Sequence, residues 1–114
     1  MTLALYAVVI EVEPGAEEAW NRWHEDLHVP EVLSEPGFHS CRKWRDTEPA
    51  KDGWARYVCH YELTDLEAMR RYAASDAAKR LRAESEARFG TVTRHSRQVC
   101  TEVGRYVASE ALRR

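Results

Sequence analysis

The stretch Trp20–Arg45, "WNRWHEDLHVPEVLSEPGFHSCRKWR", decides how this chain is read. Its first part carries the apolar positions Trp20, Trp23 and Leu27, which with Ala16 just ahead recur at helical spacing and mark one buried stripe. Glu17 and Glu18 suit the positive end of that helix. His24 and His28 lie one turn apart on the flank of the stripe, and Glu25 points away from it toward solvent. Pro30 biases Val29 away from helical geometry, which predicts that the helix ends near His28. The same proline can open a short second turn, "PEVLS", closed by "EPG" at Pro36 and Gly37. "FHSCRKWR" then reads as a strand.

Ahead of this stretch, "LALYAVVIEVE" (Leu3–Glu13) is aliphatic and β-branched and reads as the first strand. Both of its faces are apolar: Leu3, Leu5, Ala7 and Val9 on one, Tyr6, Val8, Ile10 and Val12 on the other. Such a strand is covered on both sides. Beyond the stretch, the polar loop "DTEPAKDG" leads into "WARYVCHYEL", a third strand with Tyr57, Cys59, Tyr61 and Leu63 on one face. Strands two and three form an antiparallel hairpin that brings Cys41 within about a residue of facing Cys59. "TDLE" is a capping box in which Thr64 caps and Glu67 reaches back, and Leu66, Met69 and Ala73 continue one helical face. Ser75 restarts a helix whose Ala78, Leu81, Ser85 and Phe89 are in phase, and Gly90 stops it. A last strand is expected around Gln98–Val107. The order βαββαβ predicts an α+β, ferredoxin-like fold: a four-stranded antiparallel sheet with its helices on one face. The doubly apolar first strand leaves the other sheet face needing a cover. A second copy supplies the simplest one, so a homodimer is expected, with a monomer covered by its own C-terminal tail as the alternative.

Size and composition agree. The 114 residues suit one domain spanning 1–114. A net charge of −2, with Arg and Lys scattered among acids, argues against nucleic acid as a partner. "LALYAVVI" is too short to span a bilayer and lacks the flanks of a secretory signal, so no membrane partner is expected. Cys41, Cys59 and Cys100 are odd in number and form no C-x-x-C, which fits free thiols in the cytoplasm.

His24, Glu25 and His28 also spell H-E-x-x-H, the spacing of a zinc hydrolase helix. Such a site needs a third protein ligand, and Pro30 ends the helix before an extension could supply one. His39, His60 and His95 lie on strands or loops without ligand spacing. No metal and no cofactor are therefore expected.

The longer pattern is more informative. Trp23, His24, Glu25, His28, Val29, Pro30, Glu31, Val32 and Leu33, followed by Pro36, Gly37 and Phe38, resemble the EthD-like family of dimeric α/β-barrel proteins, and "RYVCHYEL" resembles that family's third strand. The resemblance implies a dimeric α/β barrel with a cleft between sheet and helices for a small, often aromatic molecule. It implies that His28 matches the family's characteristic histidine, while His24 stands where tyrosine or another polar residue is more usual. An imidazole titrates near neutral pH and can move a proton, so His28 is the candidate catalytic residue. Its alternative role is structural, bonding a backbone carbonyl at the Val29–Pro30 break. Candidate ligand-binding residues are Trp23, His24, Arg42, Trp44, Tyr57, Cys59, Tyr61 and Tyr72, with Arg42 able to steer a carboxylate or enolate oxygen. The leading expectation is a cofactor-independent enzyme of proton-transfer chemistry (cyclisation, dehydration or isomerisation) on a small hydrophobic, aromatic or polyketide-like molecule. A cofactor-free monooxygenase and a non-catalytic binding protein are its rivals.

Overall fold

The structure is a computed structural model that describes residues 2–109; Met1 and residues 110–114 of the expected domain lie outside the described residues. Four strands, β1 (Ala4–Val12), β2 (Phe38–Arg45), β3 (Ala55–Leu63) and β4 (Thr93–Thr101), form one sheet in the order β2-β3-β1-β4. Every neighbouring pair is antiparallel. Helices α1 (Glu17–Trp23) and α2 (Val29–Leu33) follow β1, and α3 (Leu66–Ala73) and α4 (Asp76–Phe89) follow β3. This is the expected α+β, ferredoxin-like fold.

The strand pattern explains why the core sits on one side. On β1, Ala4, Tyr6, Val8, Ile10 and Val12 are buried, and on β3 Ala55, Tyr57, Cys59, Tyr61 and Leu63 are buried. With a side-chain period of two, these residues share the face against the helices. Trp20, Trp23, Val32, Ala68, Met69, Tyr72, Ala78 and Leu81 cover them from the helical side. Leu5, Ala7, Val9 and Val58 on the opposite face are only half-buried.

Helix α1 does not end at His28. Residues His24–His28 form a widened π-type turn that runs straight into α2. The Val29 N–H donates to the His24 carbonyl, five residues back. The wider turn accommodates Pro30, which lacks an N–H and would crowd the carbonyl four residues earlier in a regular helix. The turn also holds one extra residue, which shifts the phase of everything after it. Leu27, expected in the buried stripe, is therefore 48% exposed, while His24 is 4% exposed and Val32 2%.

Two further boundaries differ from the sequence reading. The N-cap of α3 is Asp65, not Thr64: its carboxylate accepts from Ala68 N–H at 2.8 Å, so no reciprocal Glu67 contact forms. Its buried face accordingly runs Ala68, Met69, Tyr72 rather than through Ala73. Ser75 caps α4 as expected. Strand β4 begins at Thr93, five residues before the expected start, because pairing with β1 orders a sequence too polar to signal a strand. It is an edge strand, and only Thr93 is buried on it. In the β2–β3 ladder Cys41 pairs with Tyr61 and Lys43 with Cys59, so Cys41 and Cys59 are diagonal neighbours, two positions from opposite. All three cysteines are free. Gly37 of the "PGF" turn adopts φ 90°, and a Cβ there would lie 2.6 Å from Ala68 Cβ. The turn thus needs glycine both for its backbone and for the approach of α3.

Candidate functional site

A cleft opens between the helix-facing side of the sheet and the helices. Its floor is Tyr6, Val8 and Ile10 of β1 with Cys59 and Tyr61 of β3, and its roof is Trp20, Trp23, His24, His28, Val32, Tyr72 and Leu81. It holds about 520 Å³ of non-atom space counting its open mouth. The opening lies on the β4 side for a structural reason. At the opposite end α1 is laced to β2 and β3. Lys43 Nζ donates to Asn21 Oδ1 (2.7 Å) and Glu25 Oε2 (2.9 Å), Arg45 pairs with Glu17, and Tyr57 donates to Glu17. Lys43 also sits 4.6 Å above the Trp20 ring, a cation–π contact. On the β4 side, His95, Arg97 and Val99 are exposed, leaving the gap between α4 and β4 uncovered.

The π-type turn builds the roof. Trp20 stacks on His24 at 4.4 Å, His24 on His28 at 5.5 Å and His28 on Trp23 at 4.8 Å between ring centroids. Burial drives the pKa of His24 down to about 2, helped by Lys43, His28 and His95. His28 is also held below the usual histidine value, first by burial, with Glu84 pulling it up and Arg97 pushing it down. Both imidazoles are therefore neutral near pH 7. His24 Nδ1 and Trp23 Nε1 are buried without a hydrogen-bond partner among the described residues. Tyr61 and Tyr72 are shifted the other way, Tyr72 to about 12, chiefly by burial. They stay protonated and can donate a hydrogen bond to an oxygen in the cleft.

Six of the residues expected at the site, His28, Trp23, His24, Cys59, Tyr61 and Tyr72, line this one cleft. Tyr57 is on the same sheet face but belongs to the Glu17–Asn21 network that closes the cleft's end. Arg42 and Trp44 do not line the cleft. They alternate with Cys41 and Lys43, so they project from the opposite sheet face, where Trp44 is 52% exposed. The sequence reading missed Arg82 and Ser85 of α4 and His95 and Arg97 of β4, all of which line the cleft. The alternation of His95 and Arg97 was the available signal. Once β4 is paired, they stand opposite Ile10 and Val8, on the face of Tyr6. Although three histidines line one cleft, no three His, Cys, Asp or Glu side chains gather to hold a metal ion among the described residues.

A family model described as a domain of unknown function (DUF4286) matches residues 3–103. The chain belongs to this family. No curated protein matches the DUF4286 chain significantly by sequence. Its fold is similar to several solved structures. One is an EthD family protein from Bacillus halodurans, with TM-score 0.66 and 15% identity, covering 90% of this chain and 100% of that one. Another is SnoaB, a cofactor-independent oxygenase from Streptomyces nogalater, with TM-score 0.59 and 22% identity, covering 90% and 95%. A third is an antibiotic biosynthesis monooxygenase, with TM-score 0.58 and 17% identity, covering 90% and 99%. At these identities the likeness establishes the fold of the DUF4286 chain, and its chemistry has to be argued from its own cleft. Among the described residues no helix is long and apolar enough to cross a membrane.

Proposed function

We propose that this protein is a cofactor-independent enzyme that moves a proton on a small aromatic or polyketide-like molecule, with His28 as the base. The observation that carries the reading is the pairing of a neutral, half-buried imidazole with phenols that stay protonated in one apolar cleft. His28 would take a proton from an acidic C–H or O–H. Tyr61 or Tyr72 would donate a hydrogen bond to the oxygen on which negative charge develops. The aromatic roof of Trp20 and Trp23 would hold a flat ring. The resulting anion could then isomerise, cyclise or lose water.

The test is deuterium incorporation into hydroxylated anthrones and cyclic 1,3-diketones in D2O, followed by NMR. Protein-dependent exchange should fall roughly a hundredfold in His28→Ala, the usual size of a general-base contribution. A folded His28→Ala protein that exchanges at the full rate would remove His28 from the mechanism. Binding without any exchange would leave a small-molecule-binding protein.

A second reading is favoured by the likeness to proteins named as oxygenases. The same deprotonation of an electron-rich phenol would give an anion that itself reduces dioxygen. Oxygen consumption with the anthrones separates the two readings.

We further assign a homodimer, formed through the open sheet face. Leu5, Ala7, Val9 and Val58 are only half-buried there, beside exposed Trp44. The three free thiols fit a single cytoplasmic domain.

A further inference from the structure

The mouth of the cleft carries two arginines. Arg82 of α4 and Arg97 of β4 stand on its two sides, and both also line the shallow surface depression into which it opens. Neither has a carboxylate within salt-bridge distance among the described residues. Glu86 lines the outer depression without pairing with either. Three other arginines of the sheet, Arg45, Arg56 and Arg94, each engage a carboxylate within 3.3 Å. The two free guanidiniums also act on a common region. Both favour the ionised form of Tyr72, and Arg97 disfavours the charged form of His28 and of His95. Tyr72 and His28 line the same cleft as the two arginines.

We propose that Arg82 and Arg97 form a carboxylate-binding mouth, so that the ligand is an aromatic acid whose ring lies against the Trp23–His28 roof. This rests on the reading that the cleft takes a small aromatic molecule. Guanidinium matches carboxylate in shape and charge, and the apolar wall behind it weakens competition from water. The role expected of Arg42 from sequence thus falls to two arginines on other elements.

The test compares naphthalene-1-carboxylate with naphthalene-1-carboxamide by calorimetry at low ionic strength, with the His28 ring proton shift placing each compound in the cleft. The carboxylate should bind at least about tenfold more tightly, and the advantage should shrink as salt is added. In a folded Arg82→Gln/Arg97→Gln protein that advantage should vanish while the carboxamide binds as before. Arg42→Gln, on the other sheet face, should change nothing. Equal affinity for both compounds, with His28 shifted by both, would overturn the carboxylate mouth and leave the aromatic cleft standing. A preference that persists in the double variant, or that Arg42→Gln removes equally, would also overturn it. If neither compound binds or moves the His28 signal, the mouth and the aromatic cleft fall together.

Discussion

The imidazoles of His24 and His28 lie stacked, with ring centroids 5.5 Å apart and planes inclined by 29°. Each ring is sandwiched further, His24 against Trp20 and His28 against Trp23. A proton on either ring would sit in an apolar roof beside a second imidazole, so the fold holds both neutral.

Acid stability follows from His24. Its folded pKa, about 2, is below the ordinary 6.5, so between these values the unfolded chain binds a proton that the folded chain does not. Stability is then full above 6.5 and declines as pH falls through that window, by up to about 1.4 kcal/mol per pH unit from one such group. Urea midpoints measured from neutral to acid pH should show this slope, and His24→Phe should flatten it. An unchanged slope in that variant would place the acid sensitivity elsewhere.

The activity profile should reflect His28. Its pKa is lowered from 6.5, so the basic form persists below that pH. The rate constant kcat/KM for proton abstraction should stay level as pH drops through 6.5 and fall only at lower pH. An acid limb with its midpoint above 6.5 would contradict a neutral, half-buried base.

Two glycines separate backbone strain from crowding. Gly37 and Gly53 have similar positive φ values, 90° and 87°, yet only at Gly37 does an added Cβ meet a neighbour, Ala68 Cβ at 2.6 Å. Gly53→Ala should cost about 1 kcal/mol for its conformation. Gly37→Ala should cost roughly 1–3 kcal/mol more, because α3 must shift from the turn. Equal losses in thermal or urea unfolding would show that α3 yields freely.

The open sheet face can be tested by charge. Val9 sits at its centre, half-buried between Val58 and Ser96. Val9→Glu should convert the proposed dimer to a monomer in sedimentation while leaving the circular dichroism spectrum unchanged, since a buried unpaired carboxylate is strongly disfavoured at an interface. A wild-type protein that sediments as a monomer at micromolar concentration would remove the dimer.

The topology was legible because it depends on short-range signals. The aliphatic, β-branched run Leu3–Glu13, the one-faced pattern of Trp54–Leu63, the Ser75 cap and the "EPG" turn each act within a few residues. They placed β1, β3, α4 and the βαββαβ order. They also put Trp23 and Tyr61 on buried faces, because helix and strand spacing set those directions, whereas His28 was singled out by the family resemblance.

What tertiary structure decided is what depends on register and on residues far apart in sequence. The phase of β2, set by its ladder with β3 and an irregularity between Phe38 and Ser40, turned Arg42 and Trp44 out of the cleft. The widened turn at His24–His28 exchanged Leu27 for histidines in the roof, a shift of one residue that no regular periodicity encodes. Pairing with β1 ordered β4 and carried His95 and Arg97 across from α4, completing a mouth whose two arginines are fifteen positions apart in the chain. Hydrophobic spacing records which face of an element is buried. It does not record which element lies opposite, and the charged rim of this cleft is built from that second relationship.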